Sequence, residues 1–200
     1  VDIPKDLQAE EFDFIYPEEP ILLPGDNLVP SDIDLKSLEQ AASLIAKSKR
    51  PVILAGHGIL LSGASSEVIE LSEKGNIPLS WTLLGSGAVP ASHHLNMGMM
   101  GMHGEFAANN AIQKADLLIA CGMRFDDRVT GNTNTYSLES KKIHIEIDPS
   151  EINKNVPVDV ALVGDLKSIL TKLIPLLKER QKSSWTDKIE DWRKESQSRD

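Results

Sequence analysis

Residues 51–58 read PVILAGHG. Val52–Ala55 is an unbroken apolar run, too short for a helix, and it ends on two glycines that flank a histidine. A strand buried on both faces reads this way, and such strands belong to parallel sheets covered by helices. The flanking segments agree. Upstream, the helical face Leu38, Ala41, Ala42 and Ile45 predicts a helix from about Asp34 to Ser48, with Ser31-Asp32-Ile33-Asp34 as its start signal. Downstream, Val68, Ile69 and Leu71 predict an inward helix face over about Ala64–Lys74, stopped by Gly75-Asn76.

The same alternation runs on along the chain. Ile77–Thr82 reads as a second strand, residues 104–115 as a short helix, and ADLLIACG, residues 115–122, as a third strand. Lys141–Asp148 alternates polar and apolar residues and forms a fourth strand; Val158–Asp165 forms a fifth. A helix carrying Ile169, Leu170, Leu173, Ile174 and Leu177 closes the unit. Each crossover is long enough to be right-handed and to join parallel neighbours. The predicted fold is α/β: an open, doubly wound, Rossmann-like sheet of about five or six parallel strands with helices on both faces. In such sheets a ligand lies outside the carboxyl ends of the strands.

Composition narrows the function. The 200 residues suffice for one ordinary core. A net charge of -9 and only 4% aromatic residues argue against polyanion binding and against a base-stacking platform, so no nucleic-acid partner is expected. The single cysteine, Cys121, excludes an intrachain disulfide and a multi-cysteine zinc site. No apolar run approaches membrane-spanning length and no signal peptide is visible, so a cytoplasmic, membrane-free setting is expected. Residues 1–33 are rich in proline and read as the end of a preceding domain plus an extended connector. Residues 34–182 read as the compact α/β domain, and 183–200 as a helical linker toward a further domain. Both ends look like cuts through a longer polypeptide.

The unusual residues collect at the strand exits. Gly56-His57-Gly58 permits a tight turn and close approach of a ligand to backbone, although the full GxGxxG fingerprint is absent and a plain glycine turn would look the same. Thr82–Ala88 again crowds small residues at an exit. Met97–Phe106, MGMMGMHGEF, reads as a glycine loop whose methionines form a soft apolar wall, with His103 just before the next helix. The third strand delivers CGMRFDDRVTGN, residues 121–132. Its Arg124, Asp126, Asp127 and Arg128 could pair among themselves as a surface cluster. They could equally line a pocket, where an arginine fork suits phosphate and an aspartate suits ribose hydroxyls. Glu146 stands at the fourth exit, where doubly wound folds grip a ribose. Asp165 follows Gly164 at the fifth and doubles as a helix cap. A nucleotide-containing cofactor laid across the sheet edge would use all five exits.

RFDDRVTG at 124–131, with AGHGI at 55–59 before it and IHIEIDPSEINKN at 143–155 after it, resembles the central domain of the acetohydroxyacid synthase (acetolactate synthase) family. The resemblance spans almost the whole chain. It implies a thiamine-diphosphate enzyme of branched-chain amino-acid synthesis built from three α/β domains. Thiamine diphosphate and Mg2+ would sit in the outer two, and FAD in the central one. The enzyme would condense two pyruvates to 2-acetolactate, or pyruvate with 2-ketobutyrate, and the flavin would have no net redox role. Implied FAD contacts are Gly56, His57, Gly58, Thr82, Leu83, Met100, Gly101, Met102 and His103. Further along they are Gly122, Arg124, Asp126, Arg128, Val129, Glu146, Ile147, Gly164 and Asp165. The positions matching Asp127 and Arg128 would also line a substrate channel where inhibitors bind. The family often has a third glycine where this chain has His57. The implied partners are the remaining domains of the same chain, a homodimer or tetramer, and a regulatory small subunit.

The family's catalytic glutamate belongs to the N-terminal domain, and its GDG…N metal and diphosphate motif occurs nowhere in these residues, so no catalytic or metal-ligating residue is assigned here. Other readings are a glyoxylate carboligase or pyruvate oxidase type of central domain, a sirtuin-type deacylase, and a non-catalytic nucleotide-binding or interaction domain. One cysteine and AGHGI disfavour the sirtuin type, which needs a zinc-binding cysteine quartet.

Overall fold

The computed structural model describes residues 4–11, 13, 15–16 and 33–197. The predicted strand end at Val1–Ile3, Ser31 and Asp32 of the start signal, and most of the proline-rich connector lie outside the described residues. A single turn, α1 (Lys5–Gln8), precedes the domain. The elements then run α2 (Leu35–Lys47), β1 (Pro51–Ala55), α3 (Gly58–Leu61), α4 (Ser65–Gly75), β2 (Leu79–Trp81), β3 (Asn96–Met99) and α5 (Phe106–Lys114). They continue with β4 (Leu117–Cys121), α6 (Asp127–Thr130), β5 (Lys141–Glu146), β6 (Val160–Val163), α7 (Leu166–Leu173) and α8 (Ser184–Gln197).

The six strands form one sheet in the order β3-β2-β1-β4-β5-β6, and every pairing is parallel. The chain winds outward from β1 through β2 and β3, then returns to the other side of β1 with β4. The order therefore reverses between β1 and β4, which creates a crevice at their carboxyl ends. Side chains alternate across β1. Ile53 and Ala55 face the layer that buries Leu38, Ile45, Leu71 and Ile169 from α2, α4 and α7. Val52 and Leu54 face the layer that buries Ala108, Ala111 and Ile112 of α5. Both faces are covered, which is why PVILA carries no polar residue.

The caps follow the sequence signals. Asp34 accepts from the Lys36 and Ser37 amides and starts α2. Asn76, with φ 45°, takes the left-handed conformation that ends α4.

Three features differ from the sequence-based expectation. First, the MGMM stretch is not wholly loop. Asn96–Met99 is an edge strand that the pattern hid, because Gly98 interrupts it and the β2–β3 register shifts between Leu79 and Trp81. The Ser80 hydroxyl donates to the Gly98 carbonyl at 2.7 Å and holds the irregular edge in place. Second, the alternation in β5 does not turn a polar face to water: Lys142, His144 and Glu146 are all buried. Each finds at least one partner instead, although His144 Nδ1 has none. The Lys142 ammonium donates to the Ser137 and Ser140 carbonyls at 3.1 and 3.0 Å. Third, α8 lies on the domain. Its Trp185 and Ile189 pack into the α5 layer, and the Trp185 indole N–H donates to the Pro51 carbonyl at 3.1 Å. Burying a side chain of this size contributes roughly 2–3 kcal/mol. Arg180 donates to the Ile45 and Ser48 carbonyls, which ties the segment before α8 to the end of α2.

Glycines decide how closely β1 and β4 leave the sheet. The Gly58 amide donates to the Gly122 carbonyl at 2.9 Å, and a Cβ built on Gly122 would lie 2.7 Å from the Gly58 Cα. Gly122 also has φ +57°. Gly63 has a similar φ of +63° but open space around it. We predict that Gly63→Ala costs only the backbone strain, about 1 kcal/mol, whereas Gly122→Ala costs roughly 2–4 kcal/mol because a clash is added. Urea denaturation of the two variants checks the difference; equal losses would mean that the β1–β4 contact tolerates a side chain.

Candidate functional site

The crevice between β1 and β4 opens into a cavity of about 690 Å³, a volume suited to a cofactor-sized ligand. Three exits build its base. His57 and Gly58 come from the end of β1, Thr82 and Leu83 from the end of β2, and Gly122 from the end of β4. The Thr82 hydroxyl accepts from the Gly85 amide at 3.1 Å and so shapes the turn that carries Leu83 and Leu84. The His57 ring Nδ1 lies 2.9 Å from the Leu84 carbonyl, so His57 fastens that turn to β1 from the cavity rim. Because a carbonyl only accepts, Nδ1 carries the proton.

The walls are apolar and sulfur-rich. Met99, Met100, Met102 and Met123 line the cavity together with Leu61, Leu83, Leu84, Val129 and Ile147. Leu61, Leu83 and Leu84 are exposed, as are Met102 and Ile147. Apolar side chains gathered in the open around one crevice mark a surface that a ligand or a neighbouring domain covers.

Charged groups line the cavity as well. Arg124, Asp126 and Arg128 line the cavity, and His103 approaches from the methionine loop. Within the described residues the four charges of RFDDR form no closed cluster. Only Arg124 and Asp126 approach as an ion pair, at 3.8 Å and largely in solvent, a contact worth well under about 1 kcal/mol. The Arg128 guanidinium leans to the Met102 sulfur at 3.8 Å. Arg124 and Arg128 are both exposed. One Asp126 oxygen, Oδ1, is buried without a partner. An unpartnered acceptor beside two arginine forks is suited to taking a hydroxyl hydrogen from a ligand whose anionic part the arginines hold.

Glu146 completes the wall. Its Oε1 accepts from the Ile147 and Asp148 amides at 2.9 and 3.4 Å, which fixes the carboxylate at the exit of β5. Behind it lies His144, fully buried on β5. The His144 Nε2 donates to the Met123 carbonyl at 2.8 Å, and Phe125 stands edge-on to the ring with centroids 5.1 Å apart. His144 thus holds the backbone from which Arg124 projects. Burial pushes its pKa below the ordinary 6.5, against the opposing pull of the Met123 carbonyl and Glu146, so the ring is neutral.

Most residues singled out from the sequence come together on this cavity, with five exceptions. Gly56 lies beneath it, against the Gly122 carbonyl. Gly101 lies behind it, against Arg128. Asp127 opens α6 with its side chain exposed. Gly164 and Asp165 stand beyond β5, where Asp165 accepts from the Ser168 amide at 2.8 Å and caps α7. Conversely Leu61, Leu84 and Met123 line the cavity without having been singled out, while Met99 belongs to the methionine wall read from the sequence. The Leu83-Leu84-Gly85 sequence held a signal for one of them: two leucines at a strand exit with no periodic partner to bury them.

Residues 38–173 match the family model described as thiamine pyrophosphate enzyme, central domain. Over 97% of its length the chain is 45% identical to the probable acetolactate synthase large subunit of Methanocaldococcus jannaschii, covering 34% of that protein. Over 96% it is 44% identical to the acetolactate synthase large subunit of Corynebacterium glutamicum, covering 30% of it. The corresponding protein of Buchnera aphidicola is 35% identical over 97% of the chain. The chain spans about a third of the length of the curated relatives it matches.

The neutral His144 makes stability depend on pH. Unfolded, the ring titrates near 6.5; folded, it titrates lower. Below pH 6.5 the unfolded chain therefore binds more protons, and stability falls as pH drops through the window between the two values. We predict that His144→Gln, which keeps a donor for Met123, flattens the decline of Tm between pH 7 and 5.5 by up to about 1.4 kcal/mol per pH unit in free energy. Parallel Tm–pH curves for the two proteins would assign the decline to other groups.

Proposed function

The chain belongs to the family of thiamine pyrophosphate enzyme central domains, and from that premise we propose that it is the FAD-holding central domain of an acetolactate synthase large subunit. The observation that carries the reading is the cavity at the β1–β4 reversal, with glycine exits at its base and two arginines in its wall. The donor set fits a flavin dinucleotide. Arg124 and Arg128 supply forked donors for a pyrophosphate, and the glycine exits at Gly58 and Gly122, without side chains, let it approach the backbone. The buried Asp126 oxygen and Glu146 suit ribose hydroxyls, and the methionine and leucine walls suit a flat ring. Arginine–phosphate binding here needs no bulk positive charge, so the net charge of -9 is no obstacle.

The whole enzyme would condense two pyruvates, or pyruvate and 2-ketobutyrate, releasing CO2. Carbon, hydrogen and electrons balance in that condensation without an external oxidant, so a flavin held here has no net redox duty. Its contribution is to fill the crevice and order the walls beside the substrate. Thiamine diphosphate and Mg2+ would be held by other domains of the same polypeptide, since the GDG…N motif does not occur in these residues. In this layout residues 1–33 connect to a preceding domain, 34–182 form the cofactor domain, and 183–200 lead toward a following one. Asp127 and Arg128 would stand where cofactor and substrate channel meet. The assembled enzyme would be a cytoplasmic homodimer or tetramer, with room for a regulatory subunit. Among the described residues no helix is long and apolar enough to cross a membrane.

Two measurements test the reading. The full-length protein is expected to bind FAD, and Arg124→Ala to weaken its affinity at least tenfold, the loss of one charge-assisted hydrogen bond worth about 1.5–3 kcal/mol, with little change in Tm. Unchanged affinity with a lower Tm would instead make Arg124 part of a structural ion pair. Residues 1–200 alone, supplied with pyruvate, thiamine diphosphate and Mg2+, are expected to form no acetolactate; turnover would overturn the division of labour between domains.

A further inference from the structure

Asn109 lies on α5, outside the cavity. Its carboxamide meets both sides of one residue: Nδ2 donates to the Gly101 carbonyl and Oδ1 accepts from the Gly101 amide, each at 2.9 Å. Only one orientation of the amide satisfies both, since the flipped form would set donor against donor and acceptor against acceptor. Gly101 itself has φ +97°, and a Cβ there would meet the Arg128 carbonyl at 2.5 Å. The next amide, Met102 N–H, donates to that same carbonyl at 2.9 Å. A continuous path therefore runs from Asn109 through Gly101 to the backbone of Arg128. It joins the two loops that carry Met100, Met102, His103 and Arg128 into the cavity.

The platform for this path is rigid. Ala107, Ala108, Ala111 and Ile112 of the same helix are buried against the sheet. Asn109 faces away from that contact and is only partly buried. Its role in the core is small, while both ends of its amide are committed to Gly101, which has no side chain of its own to pack. We infer that Asn109 is a positioning residue for the flavin: it sets the methionine–histidine loop and, through that loop, the Arg128 guanidinium. The inference rests on the flavin reading of the cavity.

The experiment uses the full-length protein with FAD as the probe. Asn109→Leu keeps the shape and removes both hydrogen bonds. Asn109→Asp keeps one and turns a carboxylate oxygen toward the Gly101 carbonyl. Both variants are expected to weaken FAD binding about tenfold or more and to change the fluorescence quenching of the bound flavin. Asn110→Asp places the same charge one residue along, where the native side chain reaches only the Phe106 carbonyl, and is expected to bind FAD as the native protein does. The FAD-free native protein is expected to protect the Gly101 and Met102 amides from exchange, a result that needs no variant to fold. Native FAD affinity in a folded Asn109→Leu, or free exchange at Gly101, overturns the inference while leaving the flavin reading intact. A native protein that takes up no FAD overturns the flavin reading itself, and this inference with it.

Discussion

The exits of β1 and β4 touch backbone to backbone. Gly58 and Gly122 meet with no side chain between them, and the Gly56 amide donates to the Cys121 carbonyl just below, at 2.9 Å. Everything that defines the cavity follows from this approach. The sheet order reverses between these two strands, so their crossovers leave in opposite directions. The crevice is open only because neither exit is filled by a Cβ. Gly122 must also turn through a left-handed conformation to send Met123, Arg124 and Phe125 along the cavity wall rather than into solvent. Any L-side chain at Gly122 would face strain and collision together.

A second constraint supports the first from behind. β5 carries three polar residues into the interior, and each one fixes a piece of surface loop. Lys142 holds the Ser137–Ser140 turn through two carbonyls. His144 holds the Met123 carbonyl, and Glu146 folds back on its own exit amides. A buried ammonium or imidazole is costly unless hydrogen-bonded, so these partners are obligatory rather than incidental. The strand uses its inward polar face to specify loops, where β1 uses an apolar face to build the core. Burial lowers the pKa of Lys142 and of His144 alike.

The fold was legible in the sequence where burial and period coincide. PVILA and LLIAC are buried on both faces and read as strands without help from neighbours. The α2 and α4 limits were marked by Asp34 and Asn76, whose side chain and backbone do the capping. Edge strand β3 was obscured because its four residues include a glycine at φ +89° and its partner register is broken. β5 was legible as a strand, but the partners of its buried polar residues were not: Lys142 turns back to the carbonyls of the turn just before it, and His144 reaches Met123 on another strand exit. The candidate site was legible at the exits, where glycines and charges depart from core patterning. Leu84 and Met123 were not, because an apolar residue in a loop looks the same whether it lines a cavity or fills a core. Asn109 was equally invisible: its meaning lies in a pairing eight residues away with a glycine whose conformation the sequence does not state.

The distribution of roles within CGMRFDDRVTGN shows how one segment serves both stability and site. Cys121 and Phe125 point inward, and burial raises the Cys121 thiol to about 12, leaving it a small core residue. Met123 lends its side chain to the cavity and its carbonyl to His144. Arg124, Asp126 and Arg128 remain at the wall with one weak pair among them. A segment that existed only to decorate the surface would have closed its charges on each other. Here Arg124 and Arg128 line a crevice, one Asp126 oxygen is buried unpartnered, and the backbone of the segment is tied down on two sides, by β5 through Met123 and by α5 through Gly101. Fixed backbone with uncommitted charge is the arrangement that favours an anionic ligand over self-pairing, because the cost of ordering the donors is met by the fold before the ligand arrives.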